Sequence, residues 1–185
     1  IIEYPFSAVT FFMDMVCALL FLTLLIKPLR DRSKLLFVMF CSLDRPEDRP
    51  LTLVWLYTQF IASYLVLIPL LVYFESHDML PLLMIIIIAN GVGDGLAEPL
   101  GIRFGKRKYT TYALFTKEKY VRSSVGSACV FVTTFFAILA FQQYFNSTQL
   151  IVALITIPIL ITLAEAFSPH TWDSPLIYAV GGVSM

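Results

Sequence analysis

Five stretches of this chain, each about twenty residues long and free or nearly free of charge, constrain its fold more than any other feature: Ser7–Ile26, Leu51–Phe74, Met79–Ala97, Ser123–Phe145 and Leu150–Phe167. About 20 mostly apolar residues carry a helix across the hydrocarbon core of a bilayer, where a helix satisfies its own backbone groups. A transmembrane barrel would instead alternate apolar and polar positions in segments of about 10 residues. The chain is therefore expected to be an all-α, polytopic transmembrane helical bundle of about five spans, one integral membrane domain over 1–185. Composition agrees: 58% of the residues are hydrophobic and only 14% charged, whereas soluble domains carry about a quarter. A sixth apolar piece, Leu35–Leu43, is too short to cross at about 1.5 Å per residue and is expected to be interfacial or re-entrant. The apolar stretch after Pro175 reads as a last helix cut short.

Charge position says more than charge sum. Thirteen basic residues balance thirteen acidic ones, and no basic domain or tail offers itself to nucleic acid, so no nucleic-acid partner is expected. Every Lys and Arg falls in one of two windows, Lys27 to Arg49 and Arg103 to Arg122. Basic loops stay cytoplasmic. With five spans and a non-crossing Leu35–Leu43, the N-terminus lies outside and both basic windows inside, together with the segment Ser168–Pro175. Cys17, Cys41 and Cys129 show neither disulfide nor zinc-ligand spacing and read as packing residues.

The third span ends as Asn90-Gly91-Val92-Gly93-Asp94-Gly95-Leu96-Ala97-Glu98-Pro99. Glycine costs a helix up to about 1 kcal/mol per residue against alanine, and an acid inside the membrane about 2.5 to 3.5 kcal/mol. Gly91 and Gly95 could serve close helix contact, but that leaves Asp94 without a reason. A carboxylate at the cytoplasmic mouth, flanked by glycines, suits Mg²⁺ that keeps water and shares phosphate oxygens. Glu98 follows one turn later, either sharing that metal or relaying a proton, or else ending the helix as a solvated charge, since Pro99 disfavours helical geometry at Glu98.

The next loop places Arg103, Gly105, Lys106 and Arg107 directly after the acid. Cations alone could be a topology signal; with glycines they suit phosphate. At the start of the fourth span, Arg122, Ser123, Gly126 and Ser127 read either as a capped helix with a snorkelling Arg or as an anion site at a helix start. Glu165 and Asp173 reach the same predicted face, and His170 lies between them. Acids for a metal (Asp94, Glu98, Glu165, Asp173) opposite cations for phosphate, at a lipid boundary, describe phosphoryl chemistry on an amphiphile. Asp14, in the outer half of the first span, receives no role.

The segment from Asn90 to Pro175 resembles the CTP-dependent polyprenol kinases, a family that includes dolichol, phytol and farnesol kinases and the yeast-type CTP-dependent diacylglycerol kinase. The resemblance rests on Gly93-Asp94, Ala97, Gly101-Ile102-Arg103-Phe104-Gly105-Lys106, Arg122-Ser123-Ser124-Val125-Gly126-Ser127, and Glu165 followed by Asp173-Ser174-Pro175. The chain departs from the family pattern at Arg122, Val125 and Ser174. The resemblance implies CTP as phosphoryl donor, a membrane lipid alcohol as acceptor, and Mg²⁺. Asp94, Glu165 and Asp173 would be the catalytic and metal residues. Gly93, Gly95, Arg103, Gly105, Lys106, Arg107, Arg122, Ser123, Gly126 and Ser127 would surround the nucleotide phosphates. Two alternatives stand beside a lipid kinase: a CTP-dependent cytidylyltransferase making a CDP-lipid, and an ion-coupled transporter built on a glycine-broken third helix.

Overall fold

A computed structural model describes residues 8–44, 48–112, 119–169 and 172–185. Arg45, Lys117 and His170, counted or named above, lie outside the described residues. The described residues are helical apart from one small two-stranded sheet, and the chain divides into two compact units, 1–68 and 69–185.

The first unit opens with α1 (Ala8–Leu24), a short α2 (Lys27–Arg30) and α3 (Lys34–Leu43). Pro28 stands in the first turn of α2, where its missing N–H costs nothing. Ser33 caps α3 by accepting from Leu36 N. Leu22 and Leu25 pack with Phe40 as the core, flanked by Leu36, Met39, Leu53, Leu56 and Phe60. Ten residues of α3 span about 15 Å, about half the thickness of a bilayer's hydrocarbon core. Leu35, Phe37 and Val38 stay exposed on it. The long helix α4 (Thr52–Ser76) follows, and the boundary between the units falls inside it, at Pro69.

The second unit contains α5 (Leu80–Ile88), a π-helical segment (Ala89–Asp94) and α6 (Gly95–Phe104), wound without interruption as one apolar helix of 25 residues. Next come strands β1 (Lys108–Tyr112) and β2 (Lys119–Ser123), then α7 (Ser124–Ala140), α8 (Ser147–Phe167) and α9 (Asp173–Ser184). Asn146 and Gln149 form a reciprocal capping box that starts α8. Helix α7 is the hub: it packs on α8, α6 and the π segment, while α9 packs on α8 and α5. Ile85, Ile86, Val130, Ile138, Ile157, Ile161 and Ile177 are fully or almost fully buried there.

Among the described residues three helices, Thr52–Ser76, Leu80–Phe104 and Ser147–Phe167, are long and apolar enough to cross a membrane, where five spans are expected from sequence. Within the described residues the first and fourth apolar runs each form a helix of 17 residues. In the fourth, the α-helix stops at Ala140 and a 3₁₀ turn, Gln142–Tyr144, follows where two glutamines interrupt the apolar run. The second basic window, a loop between two spans by its sequence, forms two antiparallel strands pairing Lys108 with Ser123 and Tyr109 with Arg122. Its strands are rich in Tyr, Thr and Val, residues that favour a pleated, half-buried surface.

Candidate functional site

The site expected from sequence is built where α6 crosses the start of α7. The sequence spaces Gly93, Ala97 and Gly101 four apart, which lines them up on one helix face. A methyl at Gly93 would sit 3.3 Å from the Val130 Cα, and one at Gly126 would sit 3.0 Å from the Ala97 carbonyl oxygen. One at Gly105 would come 2.8 Å from the Ser123 Cβ, and one at Gly101 would collide with the Ser123 hydroxyl. These four glycines let two backbones meet. Gly91 and Gly95, beside Asp94, have nothing within 4 Å of such a methyl. Close helix contact therefore does not account for them.

At the start of α7, Ser123 Oγ accepts from Gly126 N at 3.0 Å and so caps the helix. Arg107 contributes its carbonyl to Ser124 N at 3.1 Å. The hairpin orders what lies next to this cap. Residues on one face of a strand alternate, and Tyr109, Thr111 and Arg122 use that face to reach the helices. Tyr109 shares a short hydrogen bond with Ser127 Oγ. Thr111 Oγ1 donates to the Ala166 carbonyl at 2.8 Å, satisfying one of the last carbonyls of α8, which have no partner within the helix.

Arg122 makes the central contact. Its Nη1 donates to Glu165 Oε1 at 2.7 Å and its Nη2 to Ser168 Oγ at 3.2 Å. Ser127 Oγ donates to the other carboxylate oxygen of Glu165 at 3.4 Å. Ser168 Oγ in turn donates to the Glu165 carbonyl at 2.7 Å. The Glu165 side chain is 3% exposed and that of Arg122 17%. A desolvated carboxylate is thus held by a charge-assisted bond from an Arg 43 residues earlier in the chain.

Of the residues expected to form the site, the structure brings together Arg122, Ser123, Gly126, Ser127 and Glu165, with Gly101 and Gly105 behind them. Arg103, Lys106 and Arg107 are exposed, and the Arg103 guanidinium lies 5.4 Å from the Phe104 ring centroid. Asp94 is half-buried at the end of the π segment and Glu98 is exposed on α6. The helix continues through Pro99, so Glu98 does not end it. Asp94 lies seven residues before Gly101, about 10 Å along the helix axis from the level of Ser123. Asp173 starts α9, where its Oδ1 accepts from Ser174 N at 3.0 Å.

The four carboxylates expected to share a metal do not assemble into one cage. Among the described residues, no three His, Cys, Asp or Glu side chains form a group that could hold an ion. Both oxygens of Glu165 are engaged, one by Arg122 and the other by Ser127. Asp94 alone, between the packed Gly93 and the open Gly95, is the kind of single donor that an ion keeping most of its water and binding chiefly to phosphate oxygens would use. The glycine-broken helix of the transporter alternative is a continuous helix with a π segment, a distortion frequent at functional sites.

Sequence reasoning missed Tyr109, Thr111 and Ser168. The alternation Lys108-Tyr109-Thr110-Thr111-Tyr112 was the available signal for the first two. It also missed that Asn90 Nδ2 donates to the Tyr178 hydroxyl at 2.8 Å, tying the π segment to α9. Comparison with protein-family models, with curated proteins and with solved structures finds no match to this chain.

Proposed function

We propose that this chain is a membrane-embedded lipid kinase that transfers the terminal phosphate of CTP to the hydroxyl of a membrane lipid alcohol. The observation that carries the proposal is the meeting of the two segments on which the family resemblance rests. Ala97, Gly101 and Gly105 of the first pack on Ser123 and Gly126 of the second, close enough that an added methyl would not fit. Exposed cations and the Asp94 carboxylate, next to the open Gly95, flank that junction.

In this mechanism Arg103, Lys106 and Arg107 attract and orient the nucleotide phosphates, and the capped start of α7 adds the partial positive charge of a helix N-terminus. Asp94 faces the reacting end, where it accepts the hydroxyl proton of the lipid or holds water on a nucleotide-borne ion. Mg²⁺, when bound with CTP, neutralises charge developing on the phosphates. Arg122 and Glu165 hold the hairpin, α7 and α8 together, so both are positioning residues, and Asp173 is the remaining acid near that end. The acceptor enters sideways from the bilayer.

The proposed topology has five crossings, with the N-terminus outside and the basic windows on the cytoplasmic face. It counts the two 17-residue helices, each about 25 Å long, as spanning with their flanking residues.

The test uses purified protein in lipid nanodiscs, labelled CTP and a panel of lipid alcohols and diacylglycerol. A phosphorylated lipid with CDP as by-product is expected; a CDP-lipid with pyrophosphate would identify the cytidylyltransferase instead. Asp94→Asn should abolish turnover with an unchanged melting temperature. Full turnover in that variant would remove Asp94 from the mechanism, and nucleotide-independent flux across liposomes without any lipid product would replace the kinase by a transporter.

A further inference from the structure

The first unit contains a cleft of about 340 Å³ that plays no part in the proposed reaction. Lys27 and Arg30 of α2 form one wall, Arg49 and the opening turn of α4 at Leu51–Val54 the other, and Phe40 and Asp44 close it. Among the described residues the lining thus sets three cations against one acid. That acid is already committed. Asp44 accepts from Arg49 Nε at 2.8 Å and from the Thr52 hydroxyl at 2.6 Å. Among the described residues Asp44 is the one carboxylate in the lining; its hydrogen bonds go to Arg49 and Thr52, and Arg30 acts on it through space.

Arg30 is the informative residue. Its guanidinium carbon sits 3.6 Å from the Phe40 ring centroid, which fixes the plane of the group. Its Nε is buried and makes no hydrogen bond. The Asp31 carboxylate lies 3.9 Å away, beyond hydrogen-bonding reach. A buried N–H without an acceptor is costly, and a phosphate oxygen in the cleft would relieve that cost. A topology signal accounts for cations on one leaflet, but not for their gathering around a cavity with a desolvated donor. The start of a 25-residue helix in the same wall favours negative charge further.

The lip of the cleft is apolar. Leu51 and Val54 are 52% and 53% exposed, and Trp55 beside them is 42% exposed. A ligand suited to this place carries an anionic head and a hydrocarbon body. We infer that the cleft binds the phosphate of an anionic membrane lipid, its head between Lys27 and Arg30 and its chains along Leu51 and Val54.

The experiment is native mass spectrometry of the full chain released from mixed micelles containing equal amounts of phosphatidic acid and phosphatidylcholine, with and without inorganic phosphate. Phosphatidic acid should be retained preferentially. Lys27→Gln should reduce that preference about fivefold, and Lys27→Gln with Arg30→Gln about thirtyfold. Equal retention of the two lipids, or a preference that survives the variants, would overturn the inference. Displacement of phosphatidic acid by inorganic phosphate at equal concentration would mean that the cleft takes the soluble ion, and would overturn it too. Should the loss of Arg30 from Phe40 unfold the double variant, Lys27→Gln and Lys27→Glu, at an exposed position, decide the matter alone.

Discussion

Replacing Arg122 with methionine takes the charge out of a pair whose atoms are 2.7 Å apart and whose carboxylate side chain is 3% exposed. The expected loss follows from what Glu165 keeps. Its remaining side-chain contact, the Ser127 hydroxyl at 3.4 Å, is too long to replace a guanidinium. Breaking a buried pair from one side costs about 3–5 kcal/mol, and Arg122→Met should fall in that range. Glu165→Met should cost less, about 1.5–3 kcal/mol, the worth of hydrogen bonds to a charged group. Arg122 is 17% exposed and keeps Ser168, so its stranded charge retains some solvation. The double variant removes both charges and keeps apolar volume, so it should lie within about 1 kcal/mol of the parent. Equilibrium unfolding of all four proteins in mixed micelles, followed by circular dichroism, gives the cycle. A loss under about 1 kcal/mol for Arg122→Met is what an exposed pair shows, and that result, or simple additivity in the cycle, would refute the idea that this pair is buried and coupled.

Glycine substitutions should separate packing from openness. Gly126→Ala, which brings a methyl to 3.0 Å from the Ala97 oxygen, should destabilise by about 1–3 kcal/mol as overpacking does. Gly95→Ala has room and should be neutral or stabilising by up to about 1 kcal/mol; melting temperatures of the pair decide it, and a large loss for Gly95→Ala would contradict the geometry. In the first unit, the Thr52 hydroxyl and Arg49 hold the Asp44 carboxyl below its ordinary value of 3.8. Its contribution is therefore fully present above the unfolded value and is lost as pH falls through the lower folded value. Thermal melts taken from pH 6 down to pH 2 should show this acid loss shrinking in Asp44→Asn; an identical profile would show that Asp44 contributes none of it.

The apolar runs were legible because twenty uncharged residues leave a chain few alternatives to a membrane helix. Their ends were not: Gln142 and Gln143 shorten α7, and the Asn146 cap starts α8 four residues before the apolar run at Leu150. The hairpin was hidden because Lys106 to Lys108 drew attention to charge, while the informative pattern was the β-prone Tyr109 to Tyr112 beside it. Pairing of Arg122 with Glu165 spans 43 residues, a separation at which no local rule applies. The cluster Gly91, Gly93 and Gly95 is unfavourable for an α-helix by composition, but its division into one packed glycine and two open ones depends on which side α7 lies. The expected metal cage failed for a similar reason: sequence places acids at one membrane face without showing which cations already hold them.

The π segment has a consequence for length. Its hydrogen bonds reach five residues back instead of four, so Ala89–Asp94 accommodates one residue more per turn than the helices on either side. Removing a single exposed residue such as Val92 would let this stretch rewind as ordinary α-helix while Leu82 and Ile86 above, and Ala97 and Gly101 below, each kept their present neighbours. Adding a residue would rotate one half of the helix about 100° against the other. The helix at the depth of Asp94 is thus built to tolerate shortening by one position and to resist lengthening.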